Sequence, residues 1–422
     1  MTKRILITDV PMTAADVILV AQAELGTLPA VIDGLVADGY TLSNVATGII
    51  VTVASSVVVP ALTVSPSTST PALGDVVTLT FNESPDTVTV IGDGEIIPTS
   101  GSGVVYTFIA YTSGPTSISA TKEGYTSATA SIAVGTIAPD APRLVRSYDM
   151  PSRVAGRVPA GFTCTGLSLI TTGDLSGYWL AADDGRLVEG DSSIYVPAVH
   201  ILTPDLSTIL RTISVGNSTH SAQGVAFDGS DGTFWVALSA SGYIRHYTLE
   251  GVEITEDAIN VRSVSGLTAW NPNALAYIPS LDQLWCASSA GKVVRRFYCS
   301  AVEAAAAGSR HVANSGITIA ATGTNTDNSP DQFHWDGSTL FYSMGANASN
   351  GAVYRVPNAL AQAPGATNTA ILTWTLPGAT AIEGIHYDPA SHTLWSNNDR
   401  GYHNSGNAAN KNQGLRFLVP AI

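Results

Sequence analysis

Five polar residues recur at equivalent positions in the C-terminal two thirds of the chain: Thr165, Gln223, Asn273, Asp331 and Glu383. Each begins a short segment in which small and apolar residues follow, as in QGVAF and EGIHY. A ring of oxygen-bearing side chains is the kind of ligand set that a hard cation such as Ca²⁺ prefers. The same side chains also serve to hydrogen-bond neighbouring loops and ordered water. The pattern therefore predicts a ring of polar side chains. Its role is either structural or the binding of Ca²⁺, and we expect no other cofactor.

A second group of polar residues lies in one long segment, NNDRGYHNSGNAANKNQ, from Asn397 to Gln413. Its Asn, Ser, Tyr and His side chains are suited to hydrogen bonding with sugars or with a polar protein surface. We expect this segment to be a recognition loop, and a merely solvated loop is the alternative. The candidate recognition residues are Asn397, Asn398, Asp399, Arg400, Tyr402, His403, Asn404, Asn407, Asn410 and Asn412.

No motif that identifies an enzyme accompanies these residues. The sequence contains no GxSxG elbow, HExxH zinc motif or phosphate-binding loop. Cys164, Cys286 and Cys299 have no CxxC spacing, so we interpret them as small core residues rather than disulfide partners or zinc ligands. The sequence predicts a non-enzymatic protein without catalytic residues.

The elements that position the polar ring form an internal repeat. Each of the five segments is followed by a turn and a second apolar strand that holds an aromatic residue, and the aromatics compared here are 56, 50, 56 and 54 residues apart. They are Trp179, Trp235, Trp285, Phe341 and Trp395. A period of about 40 to 55 residues with several strands per repeat predicts a β-propeller. The polar ring then lies at the mouth of the central channel, and the recognition loop opens at the same end.

The number of strands predicts how the propeller closes. The fifth repeat ends at Ile422 after three strands, whereas RLVRSYDM, from Arg143 to Met150, precedes the first repeat without a partner. This segment can supply the missing fourth strand and remove an exposed sheet edge. We therefore predict a five-bladed propeller over residues 143–422. His334 and His386 are expected to pack between blades rather than bind a metal.

The repeats resemble those of NHL and senescence-marker-type propellers, which usually have six blades. This resemblance implies an alternative function, because lactonases of that type bind a divalent metal through Glu, Asn and Asp side chains at the channel mouth. Asn273, Asp331 and Glu383 match those residue types and blade positions. The resemblance thus implies a metal site at these three residues and a metal-dependent, lactonase-like hydrolase as an alternative.

Residues 58–135 have the short alternating strands and regularly spaced turns of a β-sandwich. The segments SPSTSTPALGDVVTLT and ISATKEGYTSATASIAV resemble strand pairs of the immunoglobulin-like domains of bacterial adhesins and phage virion proteins. The resemblance implies a spacer, which a linker at 136–142 separates from the propeller. The expected strands include Val76–Thr80, Thr87–Ile91, Val104–Ile109, Ser117–Thr121 and Ala128–Val134.

Residues 1–57 differ in pattern and predict a small α/β anchor domain. We expect a strand at Lys3–Val10, a helix over 13–25, a second helix over Pro29–Asp38 and a hairpin of Tyr40–Val45 with Ile49–Val53. The helical segments are poor in charge, and about 55 residues are few for an independent core. We therefore expect the anchor to pack against a symmetry mate, a partner protein or the next domain, in a homo-oligomer.

The composition restricts the partners further. A net charge of −14 disfavours nucleic acid, and the absence of an apolar run of about 18 residues disfavours a membrane span. Asp9 and Asp16 interrupt the apolar stretch that an export signal needs, so we expect synthesis in a host cytoplasm. An anchor, a spacer and a propeller in a mainly β protein resemble the head-fibre, decoration and tail-fibre proteins of bacteriophages. This resemblance implies a virion surface protein that binds other virion proteins through residues 1–57 and contacts a host glycan or protein. A purely structural capsid or tail decoration protein is the alternative.

Overall fold

The computed structural model describes most of the chain, and strands dominate it. The described ranges are 17–20, 40–45, 48–53, 59–92, 96–110, 113–135, 140–151, 163–185, 196–217, 219–264, 266–288, 292–312, 316–321, 330–344, 350–362, 365–398 and 413–422. No helix within these ranges has the length and apolar character needed to cross a bilayer.

The N-terminal segment contains a three-stranded antiparallel sheet in the order β1-β3-β2. Its strands are β1 (Val17–Val20), β2 (Tyr40–Val45) and β3 (Gly48–Val53). The predicted hairpin is confirmed, because β2 pairs with β3 from Tyr40↔Val53 to Val45↔Gly48. The helix predicted over 13–25 is wrong at β1, since the run Val-Ile-Leu-Val is rich in β-branched residues and pairs with β3. The strand predicted at 3–10 and the helix predicted at 29–38 lie outside the described residues.

Residues 64–134 form two facing antiparallel sheets, in the orders β4-β5-β8-β7 and β10-β9-β6. The strands are β4 (Val64–Pro66), β5 (Val76–Phe81), β6 (Thr87–Gly92), β7 (Ile96–Ser102), β8 (Val105–Ala110), β9 (Gly114–Thr121) and β10 (Ala128–Val134). Alternate residues of the strands, such as Val77, Leu79, Phe108, Ile118 and Ile132, enter one shared core. All five expected strands are present, and β4 and β7 are additional.

The C-terminal part contains twenty strands and one α-helix within the described residues. The strands of its first half are β11 (Arg143–Asp149), β12 (Cys164–Leu169), β13 (Trp179–Asp183), β14 (Ala198–Leu202), β15 (Ile209–Ser214), β16 (Ala222–Asp228), β17 (Thr233–Leu238), β18 (Tyr243–Thr248), β19 (Ile259–Asn260) and β20 (Pro272–Ile278). Those of the second half are β21 (Gln283–Ser288), β22 (Val293–Tyr298), β23 (Ile317–Ala321), β24 (Phe333–Trp335), β25 (Leu340–Met344), β26 (Asn350–Val356), β27 (Thr367–Thr380), β28 (Ile382–Asp388), β29 (Thr393–Asn398) and β30 (Gln413–Leu418).

The helix, α1, spans Ala301–Ala307 between β22 and β23. The Ser300 side chain caps it by accepting a hydrogen bond from the Glu303 amide. Gly308, with φ of 70°, ends it in the left-handed region. The sequence analysis did not predict this helix.

These strands form three four-stranded sheets and one eight-stranded sheet. For description they are numbered as units in chain order, with the two halves of the eight-stranded sheet as separate units. Units 1 to 4 are β12–β15, β16–β19, β20–β23 and β24–β27, and unit 5 is β28–β30 together with β11. The innermost strands β12, β16, β20, β24 and β28 contact one another in cyclic order, and β28 returns to β12. The outermost strands of units 3 and 4, β23 and β27, also pair in parallel and fuse these two units into one eight-stranded sheet. The result is a propeller-like ring.

The first strand of the ring joins its last sheet, as the sequence predicts. β11 pairs antiparallel with β30 from Arg143↔Leu418 to Asp149↔Gln413, with one irregularity between Leu144 and Arg146. A terminal strand that joins the sheet of the other terminus closes the ring and covers the edge of β30.

The ring and the sandwich share apolar contacts. Val145 of β11 and Leu418 of β30 belong to the sandwich core cluster, and the Arg143 guanidinium donates to the Gly74 carbonyl at 2.6 Å. The two parts therefore pack directly against each other at the closure strand.

In units 2, 3 and 5 the repeating aromatic on the second strand has a cationic or imidazole partner on the third strand. Arg296 lies over Trp285, Arg416 lies over Trp395, and the His246 ring stacks on Trp235 with centroids 3.9 Å apart. Each pair is directly opposite in the strand register. Cross-strand pairs of this kind stabilise the second and third strands of these three units.

Candidate functional site

The mouth of the ring, defined as the end where the innermost strands begin, holds the predicted polar residues. Two of them bridge neighbouring units. The Thr165 hydroxyl donates to the Ala222 carbonyl at 2.8 Å, and the Asn273 amide donates to the Pro330 carbonyl at 3.1 Å. Both side chains are buried, so these bonds join unit 1 to unit 2 and unit 3 to the segment leading into unit 4.

Gln223 belongs to a separate small network between units 1 and 2. Its amide donates to the Ser221 hydroxyl at 2.6 Å and to an Asp184 carboxylate oxygen at 3.4 Å. Ser221 donates to the same oxygen of Asp184. The network holds the end of β13 against the start of β16.

The two acidic members of the predicted ring lie in units 4 and 5. Asp331 is half-buried, and its amide donates to the Ser343 carbonyl at 3.1 Å. Glu383 is buried, and its carbonyl accepts a hydrogen bond from the Ser343 hydroxyl. Ser343 thus connects the starts of both inner strands. Carboxylate oxygens of this kind suit a hard cation, and Ca²⁺ binding here stays a prediction.

A glutamine that the sequence analysis did not single out crosses the channel just inside this ring. The Gln332 amide nitrogen donates to the Val225 carbonyl of unit 2 at 2.8 Å and to the Leu275 carbonyl of unit 3 at 3.1 Å. Its side chain is fully buried, and its Oε1 has no hydrogen-bond partner in the described structure. Gln332 therefore connects three units and occupies the channel below the mouth.

The repeat itself distinguishes Gln332 from the residues at the equivalent positions. The equivalent position in the other four segments is Gly166, Gly224, Ala274 or Gly384. A Cβ at Gly224 would lie 2.2 Å from the Asn273 carbonyl oxygen, and one at Gly166 would lie 2.6 Å from the Gln223 carbonyl oxygen. Small residues here let adjacent inner strands approach closely, and the one large polar residue in the series is the one that spans the channel.

Two of the predicted recognition residues are structural. Asn397 and Asn398 end β29 and are fully buried, so the prediction that they contact a ligand from an exposed loop is wrong for them. Asn397 accepts from the Gly384 amide and donates to the Cys164 carbonyl, both at 2.8 Å, which ties unit 5 to unit 1. Asn398 accepts from the Gln413 amide at 2.9 Å. The other candidates, from Asp399 to Asn412, lie outside the described residues.

A buried Asp–His–Thr series lies at the mouth end of unit 1. One Asp183 oxygen lies 3.1 Å from His200 Nε2, and His200 Nδ1 lies 3.0 Å from the Thr212 hydroxyl. The other Asp183 oxygen accepts from the Gly185 amide at 3.0 Å. His200 and Asp183 are almost inaccessible, so this series fixes the start of the segment after β13 rather than meeting a substrate.

The far end of the ring, where the innermost strands finish, opens into a channel cavity of about 170 Å³ lined by all five units. His334 of unit 4 and His386 of unit 5 meet there, with ring centroids 4.4 Å apart. His334 Nε2 donates a hydrogen bond to the Tyr387 carbonyl at 2.9 Å. Burial lowers the pKa of His334 to about 4, and burial together with the neighbouring His334 lowers the pKa of His386 well below its usual value. Both imidazoles are therefore neutral at pH 7.

A cluster of potential metal ligands lies on the hairpin of unit 2. Single ligand atoms of Asp228, Asp231 and His246 lie within 4.8 Å of one another. Both His246 nitrogens, however, have partners, since Nε2 faces the Thr233 hydroxyl and Nδ1 lies 3.0 Å from an Asp257 oxygen. We therefore interpret these three residues as stabilising the β16–β17 turn rather than as metal ligands.

Comparisons with known proteins assign no family. No protein-family model matches the sequence, and no match is found among curated proteins. Solved structures with some similarity include a protein of unknown function from Bacteroides thetaiotaomicron, at 13% identity over 80% of both chains with a TM-score of 0.39. An auxiliary nutrient binding protein from the same species has 9% identity and a TM-score of 0.34 over 85% of this chain and 98% of its own. Virginiamycin B lyase from Staphylococcus aureus has 13% identity and a TM-score of 0.33 over 79% of this chain and 99% of its own. Similarities of this size carry no conclusion about activity.

Proposed function

We propose that this chain is a non-enzymatic surface protein of a bacteriophage particle, a fibre or decoration protein, and that residues 1–57 attach it to other virion proteins. In this proposal the sandwich is an immunoglobulin-like spacer, and the ring is a five-bladed propeller that presents its loops to a host glycan or protein. The observation that carries the proposal is the serial order of a small N-terminal sheet, a sandwich and a ring closed by its own first strand. Such an order suits attachment at one end and display at the other.

The chemistry of the mouth supports binding or scaffolding rather than catalysis. Thr165, Asn273 and Gln332 donate hydrogen bonds to carbonyl groups of neighbouring units. Asn397 does the same at the closure of the ring. A catalytic site needs polar groups directed at a substrate, and these groups are directed at the backbone.

The attachment proposal is tested by deleting residues 1–57. The truncated protein should stay folded, as judged by circular dichroism, and should be missing from purified particles that otherwise carry the full-length protein. Incorporation of the truncated chain at the normal copy number would contradict the proposal.

The host-contact proposal is tested by replacing residues 399–412 with a short Gly-containing turn. Folding should be unchanged because long surface loops contribute little to a core, whereas adsorption of particles to host cells should fall. Unchanged adsorption would instead favour a purely structural decoration protein.

Ca²⁺ binding by the polar ring is tested at Asp331 and Glu383, and the metal-dependent hydrolase implied by the resemblance to senescence-marker-type propellers is tested separately by a lactonase assay. Substitution of these residues by Asn and Gln should lower the melting temperature only when Ca²⁺ is present, if the ring binds the ion. Lactone turnover by the metal-supplemented wild-type protein would contradict the non-enzymatic proposal.

A further inference from the structure

A larger cavity of about 510 Å³ lies at the far end of the ring, at the seam where units 4, 5 and 1 meet. It shares His334, Trp335 and His386 with the channel cavity, so the two cavities adjoin. Its position is opposite to the mouth, because its walls come from the ends of the inner strands and from the turns that follow them. A cavity of this size lies within the usual range for small-molecule sites.

Three tryptophans contribute aromatic surface to this cavity. Trp179 and Trp395 are the repeat aromatics of units 1 and 5, and their ring centroids lie 5.2 Å apart across the seam. Trp335 ends the inner strand of unit 4 and is half-buried, as is Trp395. The ring closure therefore gathers indole groups from three separate repeats around one space.

Charged groups stand beside these rings. Asp336 is half-buried, and its Oδ1 accepts from the amides of Ser338 at 2.8 Å and Thr339 at 2.7 Å, which fixes the side chain. Its Oδ2 has no hydrogen-bond partner among the described residues. Asp388 and Arg416 also line the cavity. A positioned carboxylate oxygen next to an aromatic ring is an acceptor for a ligand hydroxyl or amide.

The electrostatics restrict the ligand. Two carboxylates and one guanidinium line the cavity, and both imidazoles at the boundary with the channel are neutral at pH 7 because burial lowers the pKa of each. The negative balance disfavours phosphates, uronic acids and other anions, as does the net charge of −14. The Arg416 guanidinium lies over Trp395 at 4.9 Å from the ring centroid, so a cation already covers this ring.

We propose that this far-end cavity binds a neutral pyranose sugar, with the sugar's C–H face against Trp335 and one of its hydroxyls donating to Asp336. A pyranose combines an apolar ring face with several hydroxyls, which matches aromatic surface beside a fixed carboxylate. The proposal adds a sugar site at the end of the ring opposite to the mouth, separate from the host contact proposed for residues 399–412. The biological role of this site rests on the proposed function as a surface protein of a phage particle. Sugar binding itself is measured with the isolated protein.

The test uses the full-length protein and isothermal titration with the methyl glycosides of glucose, galactose, mannose and N-acetylglucosamine, with glucuronic acid as the anionic probe. At least one neutral glycoside should bind at millimolar concentration, and glucuronic acid should not compete with it. Asp336→Asn keeps the turn acceptor but replaces the unpaired oxygen by an amide group, and should weaken binding about tenfold. Trp335→Leu should weaken it several-fold.

Two matched variants serve as controls. Asp231→Asn changes a carboxylate that supports the equivalent turn of unit 2, and Trp270→Leu removes a half-buried indole outside the cavity. Both should bind the sugar as the wild type does, and melting curves of all four variants identify any loss of folding. Absence of binding by every neutral glycoside, equal competition by glucuronic acid, or wild-type affinity of Asp336→Asn would each overturn the proposal. None of these outcomes bears on attachment through residues 1–57, which particle incorporation tests separately.

Discussion

Replacing Asn397 by alanine should destabilise the ring strongly, because this one side chain joins its last unit to its first. The amide accepts from the Gly384 amide and donates to the Cys164 carbonyl, both at 2.8 Å and both buried. Alanine leaves these two backbone groups buried without a partner, and each unsatisfied group costs about 1 to 3 kcal/mol. The expected loss in the free energy of unfolding is therefore about 4 kcal/mol.

The chain offers a matched control in the sandwich. Asn82 makes the same pair of bonds, accepting from the Thr63 amide at 2.8 Å and donating to the Ala61 carbonyl at 2.9 Å. Asn82 is exposed, so water can replace its amide when it is removed. Asn82→Ala should therefore cost only about 1 kcal/mol, the usual net value of one or two solvated hydrogen bonds.

The measurement is urea-induced unfolding followed by far-ultraviolet circular dichroism, which reports on both the sandwich and the ring. Tryptophan fluorescence serves as a second probe for the ring, because all seven tryptophans lie between residues 179 and 395. A loss for Asn397→Ala no greater than that for Asn82→Ala would refute the argument that buried inter-unit hydrogen bonds close the ring.

Three further changes follow from the ring. Deleting Arg143–Asp149 should expose the edge of β30 and lower the melting temperature, and the same strand appended after the last residue should restore it; an unchanged transition would contradict the closure. Gly224→Ala should destabilise by about 1 to 3 kcal/mol because its Cβ would meet the backbone of the next unit, whereas Gly229→Ala, whose Cβ makes ordinary contacts, should be near neutral in the same urea titration. Because burial lowers the pKa of His334 and His386 in the folded state, the unfolded chain takes up protons first, so stability should fall as the pH decreases from about 6.5 towards 4. The double variant with Gln at both positions should show a flatter dependence of the unfolding free energy on pH over that range.

Much of the strand order was predictable because it depends on local patterns of apolar and aromatic residues. The repeat carries an aromatic on each second strand, and in three units this residue contacts its cross-strand partner, as in Trp285 with Arg296. The surplus strand at 143–150 and the missing strand after Ile422 predicted the closure by counting alone. The five predicted sandwich strands were recognisable for the same reason, since alternating burial has a period of two residues.

The predictions failed where a local pattern fits two structures. Val17, Val20 and their neighbours satisfy helical spacing, but the contiguous run Val17–Val20 pairs with β3 as a strand. Asn397 and Asn398 have the composition of a surface loop, yet they complete β29 and are buried. Amide side chains are polar in water and equally suited to satisfying buried backbone groups, so their type alone does not decide between the two.

The sequence by itself determined the mainly β class, the repeat, its inner and second strands and the residues of the polar ring. The tertiary structure decided what those residues contact. Asn397 reaches Cys164 over 233 residues, and Gln332 reaches Val225 over 107 residues. Trp179, Trp335 and Trp395 likewise come from three repeats and meet only at the seam of the closed ring. Hydrogen bonds and cavities depend on positions in space, and only ring closure brings such distant segments within a few ångströms of one another.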